Sequence, residues 1–146
     1  ALSSAASDVY KRQTDIFQLA TTVLFQNPVQ NFALAPNNLK DVSPVCMDYM
    51  KTIPTTWDET CFIDGYPGKY VVLARRHGGT WYVAAINAGK ETLKLKLDLE
   101  MFAGKTVSLY KDDKKGAPQL VPLKVKENGK VQLEILPQGG AVLVNK

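Results

Sequence analysis

Residues 54–87, PTTWDETCFIDGYPGKYVVLARRHGGTWYVAAIN, constrain the fold more than any other stretch of the chain. Three apolar runs, 57–64, 69–76 and 80–87, are separated by two turn signals, Gly65-Tyr66-Pro67-Gly68 and His77-Gly78-Gly79. Strand-length runs punctuated by Gly and Pro predict an antiparallel meander. In the second and third runs apolar residues follow one another without alternation (Tyr70 to Ala74, Trp81 to Ile86). A strand that is apolar on both sides is covered on both sides, so these two are expected at the centre of a β-sandwich.

The remainder extends the same pattern. Leu93, Leu95 and Leu97 alternate with Thr92, Lys94, Lys96 and Asp98, as in a half-buried strand. Phe102 is expected to plug a connector at 100–105. Strands are expected at 106–110, 120–126, 131–135 and 141–144, with a polar turn at 112–116 and an Asn-Gly hairpin turn at 127–130. This makes about eight strands with short turns and no crossover helices, hence a mainly β, antiparallel sandwich.

Two helices precede it. At 14–27, Ile16, Leu19, Ala20, Val23 and Leu24 share one face, Thr14 or Asp15 can cap the start, and Asn27-Pro28 is expected to stop it. Phe17 and Phe25 widen that face, so the helix is expected to lack enough neighbours and to leave apolar surface uncovered. Ser43-Pro44 opens a second helix, with Cys46, Tyr49, Met50 and Ile53 on one face and Pro54 ending it. Residues 1–13, ALSSAASDVYKRQ, have neither a helical nor a strand period and read as a non-native tail.

Composition narrows the function classes. An apolar content of 45% with 22% charged residues is globular rather than disordered. The net charge of +4 is scattered, whereas nucleic-acid binders gather positive charge into a stripe interleaved with aromatics. No apolar run reaches membrane-spanning length. Cys46 and Cys61 fall in different elements and are read as two buried free thiols.

No self-contained catalytic constellation emerges. Glycosidase chemistry needs two carboxylates facing one another across a cleft. Asp58 and Glu59, being adjacent on a strand, are expected to face opposite sides and to serve as partners of Arg75 or Arg76. His77, the single histidine, sits in a hairpin tip without Cys-x-x-Cys, His-x-x-x-His or Gly-x-Ser-x-Gly companions, and reads as a solvated turn residue. Gly78-Gly79 leads into a strand, not a helix, so it is turn chemistry rather than a phosphate cradle. Trp57, Tyr66, Trp81 and Tyr82 could offer a sugar-stacking face, though aromatics on sandwich strands usually serve the core.

The motif Trp-Asp-Glu-Thr at 57–60, followed by Tyr-Pro-Gly at 66–68, Ala-Arg-Arg at 74–76 and Trp-Tyr at 81–82, resembles the C-terminal region of glycoside hydrolase family 97. So do LATTVLFQNPVQNFALAPNNL at 19–39 and LPQGGAVLV at 136–144. The resemblance implies a longer enzyme acting on α-linked glucosides or galactosides. Its (β/α)8 barrel would hold the active site, with a calcium ion bound by carboxylates upstream of this chain. On that reading residues 14–53 are the last helices of the barrel and 54–146 are an accessory sandwich that buttresses it. No catalytic, cofactor-binding or metal residue is carried over, and the location implied is periplasmic or secreted. Two positions depart from the family pattern: Cys61, where arginine is common, and Leu34, where aspartate is common. The competing expectation is a stand-alone carbohydrate-binding sandwich.

Overall fold

The computed structural model describes residues 13–30, 32, 36 and 39–145. The tail expected at 1–13 lies outside them except for Gln13, and Leu34 lies outside them as well. Helix α1 spans Asp15–Leu24 and α2 spans Pro44–Thr52. Eight strands follow: β1 Glu59–Tyr66, β2 Tyr70–His77, β3 Thr80–Asn87, β4 Leu93–Asp98, β5 Thr106–Asp112, β6 Pro118–Lys124, β7 Lys130–Ile135 and β8 Gly140–Val144. The chain is therefore mainly β, and every strand pair is antiparallel.

The two layers are unequal. Six strands form one sheet in the order β1-β2-β3-β8-β5-β6, and β4 and β7 form a second sheet of two. The doubly apolar runs behave as expected. β3 lies inside the large sheet, with Val83, Ala84 and Ala85 all fully buried, and β2 flanks it. Their two-residue turn places Gly78 at φ +57, a backbone region open to glycine at no steric cost.

One face of the large sheet is covered by β4 and β7. Leu93, Leu95 and Leu97 stand directly opposite Ile135, Leu133 and Val131, all pointing inward. On the outer side Lys94 opposes Glu134 and Lys130 opposes Asp98, so unlike charges meet across the pair. Phe102, in a short 3-10 turn at Glu100–Phe102, is fully buried against this core, as a plug should be.

The Asn-Gly signal marks a turn, but not the hairpin expected of it. β6 pairs only with β5, and β7 pairs with β4, so at 125–129 the chain changes sheets. The Asn128 carboxamide accepts from the Lys130 amide at 3.1 Å, and Gly129 has φ +68. The Gly129 carbonyl accepts from the Leu99 amide at 2.9 Å. That bond steers the exit toward β4, where the leucine row offers β7 its apolar partner.

The opposite face of the large sheet is covered by α1. Ile16, Leu19, Ala20, Val23 and Leu24 are buried against Tyr82, Ala84, Val142 and Val144. The uncovered apolar stripe expected for this helix is therefore not found: its five-residue face is enclosed by its own chain. Phe25, beyond the last turn, stays 63% exposed. The approach is very close. A Cβ on Gly140 would stand 2.8 Å from both the Ile16 carbonyl oxygen and the Phe17 Cα, so backbone rests on backbone there. α2 lies beside α1 with Cys46 and Tyr49 buried, and the Tyr49 ring meets Tyr110 of β5 edge to face at 5.0 Å.

Candidate functional site

Helix α1 is gripped at both ends by charged side chains from the sheet. Thr14 caps its start, its hydroxyl accepting from the Phe17 amide at 3.1 Å. That hydroxyl also donates to the Asp112 carboxylate at 2.8 Å, and the same carboxylate oxygen accepts from the Gly140 amide at 3.1 Å. Asp112 is buried on β5, and loss of hydration raises its pKa. The Thr14 hydroxyl and the Gly140 and Ile16 amides pull in the other direction, and burial outweighs them. A negative group at a helix N-terminus faces the positive end of the macrodipole.

At the other end stands Arg75 of β2, 1% exposed. Its guanidinium donates to the Phe25 carbonyl at 2.9 Å and the Leu24 carbonyl at 3.4 Å. It also lies 5.8 Å from the centre of the Trp57 ring. Burial lowers its pKa. A positive group at the C-terminus completes the match to the dipole. It also explains why α1 ends at Leu24 rather than at the Asn27-Pro28 signal: Phe25 turns extended where Arg75 takes the last carbonyls.

The two acid candidates are engaged by one arginine. Asp58 and Glu59 do not face opposite sides; both reach Arg76, at 3.8 Å and 3.1 Å. Asp58 precedes the first residue of β1, so strand alternation does not govern it. It accepts instead from the Gly78 amide at 2.7 Å and ties the hairpin tip. Arg75, offered as their other partner, binds carbonyls. His77 is an exposed strand-end residue whose Nδ1 lies 2.9 Å from the Thr56 carbonyl, so that nitrogen is the donor.

The aromatics are dispersed. Trp57 and Tyr82 meet edge to face at 5.3 Å beneath the helix. Trp81 points to the other face, where Arg76 lies 5.9 Å from its ring centre, and Tyr66 at the end of β1 is 57% exposed with the Lys69 ammonium 4.6 Å from its ring centre. The four form no common platform. Cys46 and Cys61 are not joined in a disulfide; Cys46 is buried beneath the helix, whereas Cys61, expected buried, is only partly so, because it lies on the edge strand β1 on the strand-covered side. Burial, with Glu59 beside it, holds the Cys61 thiol above its ordinary pKa, which disfavours the reactive thiolate.

Sequence reasoning missed two features. Arg75 gave no signal because its partners are backbone groups. The second is an apolar cleft of about 350 Å³ beside β1, lined by Phe62, Tyr66, Pro67, Val71, Ile86 and Ala88. Phe62 beside it is 68% exposed. Among the described residues no three His, Cys, Asp or Glu side chains cluster as metal ligands would. The chain's described carboxylates therefore do not fit the calcium ion that the resemblance implies. No described helix is long and apolar enough to cross a membrane.

Fold and site thus define an antiparallel β-sandwich with a helix locked onto it at both ends. The chain belongs to the glycosyl-hydrolase 97 C-terminal family, whose description adds oligomerisation; the match covers residues 56–145. It is 30% identical over 144 residues to a retaining alpha-galactosidase of Bacteroides thetaiotaomicron, covering 94% of this chain and 22% of that protein. It superposes on the crystal structure of a beta-arabinopyranosidase with a TM-score of 0.90 and 80% identity, over 92% of this chain and 22% of the other. A family 97 enzyme from Pseudoalteromonas sp. strain K8, solved with panose, shares the fold at a TM-score of 0.77 and 23% identity, over 90% of this chain and 22% of that one. The chain spans about a fifth of the length of these relatives.

Proposed function

We propose that this chain is the C-terminal supporting unit of a family 97 glycoside hydrolase specific for galacto-configured pyranosides. The observation that carries the reading is the 80% identity to a beta-arabinopyranosidase, with a retaining alpha-galactosidase as a further relative. The two substrate classes are one shape: a β-L-arabinopyranoside is an α-D-galactoside without its C6 hydroxymethyl group. That identity favours galactosides and arabinopyranosides over the α-glucosides that the family resemblance also allows.

On this reading bond cleavage belongs to the part of the enzyme upstream, together with calcium and its ligands. What this chain contributes is a rigid body that α1 joins to the rest. The clasp formed by Asp112, Thr14 and Arg75 supports that role, since it fixes the direction in which the helix leaves the sheet.

The experiment compares the 146-residue chain with the full-length enzyme on three nitrophenyl glycosides: α-D-galactoside, β-L-arabinopyranoside and α-D-glucoside. The expected result is no turnover by the short chain, and turnover by the long one at least about tenfold faster on the first two than on the third. Turnover by the short chain, or a preference for the glucoside, overturns the reading.

A further inference from the structure

One row of side chains crosses the whole six-stranded sheet on the face that carries α1. Pairing sets Phe62 opposite Leu73, Leu73 opposite Ala84, Ala84 opposite Val142, Val142 opposite Tyr110 and Tyr110 opposite Leu120. Residues directly opposite in a ladder point to the same face. In the middle of the row Ala84, Val142 and Tyr110 are buried with the helices. At its β1 end Phe62 is 68% exposed. The Phe62 ring lies over Gly65, where a Cβ would stand 3.2 Å from its Cε2. It borders the apolar cleft, whose lining includes Val71 and Ile86, facing each other on β2 and β3.

The opposite side of the molecule is finished differently. The outer surface of β4 and β7 exposes Lys94, Lys96, Asp98, Lys130, Gln132 and Glu134, all polar. On the α1 face, apolar side chains continue past the helices onto β2 and β1. Phe25, just beyond the end of α1, adds a second exposed ring there.

Size and attachment say what covers this patch. The match to the alpha-galactosidase leaves roughly 500 of that protein's residues outside it, a body with a radius of gyration of about 23 Å. The polypeptide enters the present unit at Thr14, on this same face, over Asp112 of β5. From β5 to β1 is four strands, about 19 Å at the usual spacing. A body of that size, attached at Thr14, is wide enough to reach β1. Being attached, it also meets the patch at a high effective concentration. A sugar fits less well, because it needs several hydrogen-bond partners and the cleft is almost wholly apolar.

We infer that Phe62 and the cleft beside it are a docking surface for the upstream part of the same enzyme, which lays an apolar surface on them as a second contact besides the connection through α1. The inference rests on the reading that this chain is the C-terminal unit of a longer glycosidase. It adds which surface that unit turns toward the rest.

Hydroxyl-radical footprinting, read by mass spectrometry, compares the oxidation of Phe62 in the 146-residue chain and in the full-length enzyme. The expected result is ready oxidation in the short chain and a fall of at least about fivefold in the long one, at every protein concentration, as when an interface core closes over a ring. Phe62→Lys should lower the Tm of this unit within the full-length enzyme by at least about 2 °C, and by much less in the short chain, where the side chain is exposed. Gln132→Lys, on the outer side of β7, should change neither. Equal oxidation in the two proteins, or an equal fall in Tm, overturns the inference. Protection that appears only as concentration rises marks a second copy, and protection of the short chain by added galactoside marks a sugar site; either overturns it too. A full-length enzyme that cleaves galactosides while Phe62 stays reactive keeps its substrate reading and loses only this contact.

Discussion

The two faces of the six-stranded sheet meet the same need by opposite means. One is covered by β4 and β7 through aliphatic contact, with Leu95, Leu97, Leu133 and Ile135 all buried. The other is covered by α1, whose apolar stripe is equally buried but whose ends are tied by Asp112 and Arg75. The difference follows from the backbone. A strand pair satisfies its hydrogen bonds along its length, so its cover needs only apolar volume. A helix leaves four N–H and four C=O groups unpaired at its ends, and a buried helix end must find partners. The aliphatic cover is therefore expected to contribute mainly cohesion, and the clasped helix to contribute direction.

Substitutions can break that contrast or sharpen it. Phe102→Ala empties a fully buried site on the strand-covered face and should cost about 3–5 kcal/mol. Chemical denaturation should show the loss, with hydrogen exchange accelerated throughout. Arg75→Ala strips two carbonyls of their donor and should cost about 2–4 kcal/mol. Its exchange should rise first in α1. If the rise is uniform instead, the helix is not a separately tied cover, and the contrast fails. Thr14→Val removes the cap and the donor to Asp112, for a loss of about 1 kcal/mol measured as a lower Tm.

The smallest effect concerns pH. The folded-state pKa of Asp112 is raised above its unfolded value, so the native state binds more protons in that window. Its contribution to stability therefore grows on acidification and is lost as pH rises through the folded pKa. Relative to Asp112→Asn, which does not titrate there, the wild type should gain Tm as pH is lowered from 7 toward the ordinary carboxylate range. A difference in Tm that is flat with pH, or of the opposite sign, would show that burial does not govern this group.

The strands were legible where periodicity is local. Alternation marked β4 and β7, and unbroken apolar runs marked β2 and β3. Their partnership across sheets was not legible: Asn128-Gly129 announces a turn, but which edge receives β7 depends on the leucine row some thirty residues earlier. The helix stripe was equally plain, yet its cover lies on β3 and β8, which no local window contains. Arg75 was hidden for a different reason. Charge pairing in sequence is sought between side chains, and its partners are the carbonyls of Leu24 and Phe25. The exposure of Phe62 had no signal at all, because nothing in a run of letters marks the outermost strand.

The seat at Gly140 has a mechanical consequence. Main chain touches main chain there, with no side chain between to bend or change rotamer. A twist applied at residue 13 passes into β8 as torque through a keyed shaft, with no compliant bushing. An alanine at that position would drive its Cβ into the main chain of Ile16 and Phe17 and wedge the joint open, tilting the helix on the sheet.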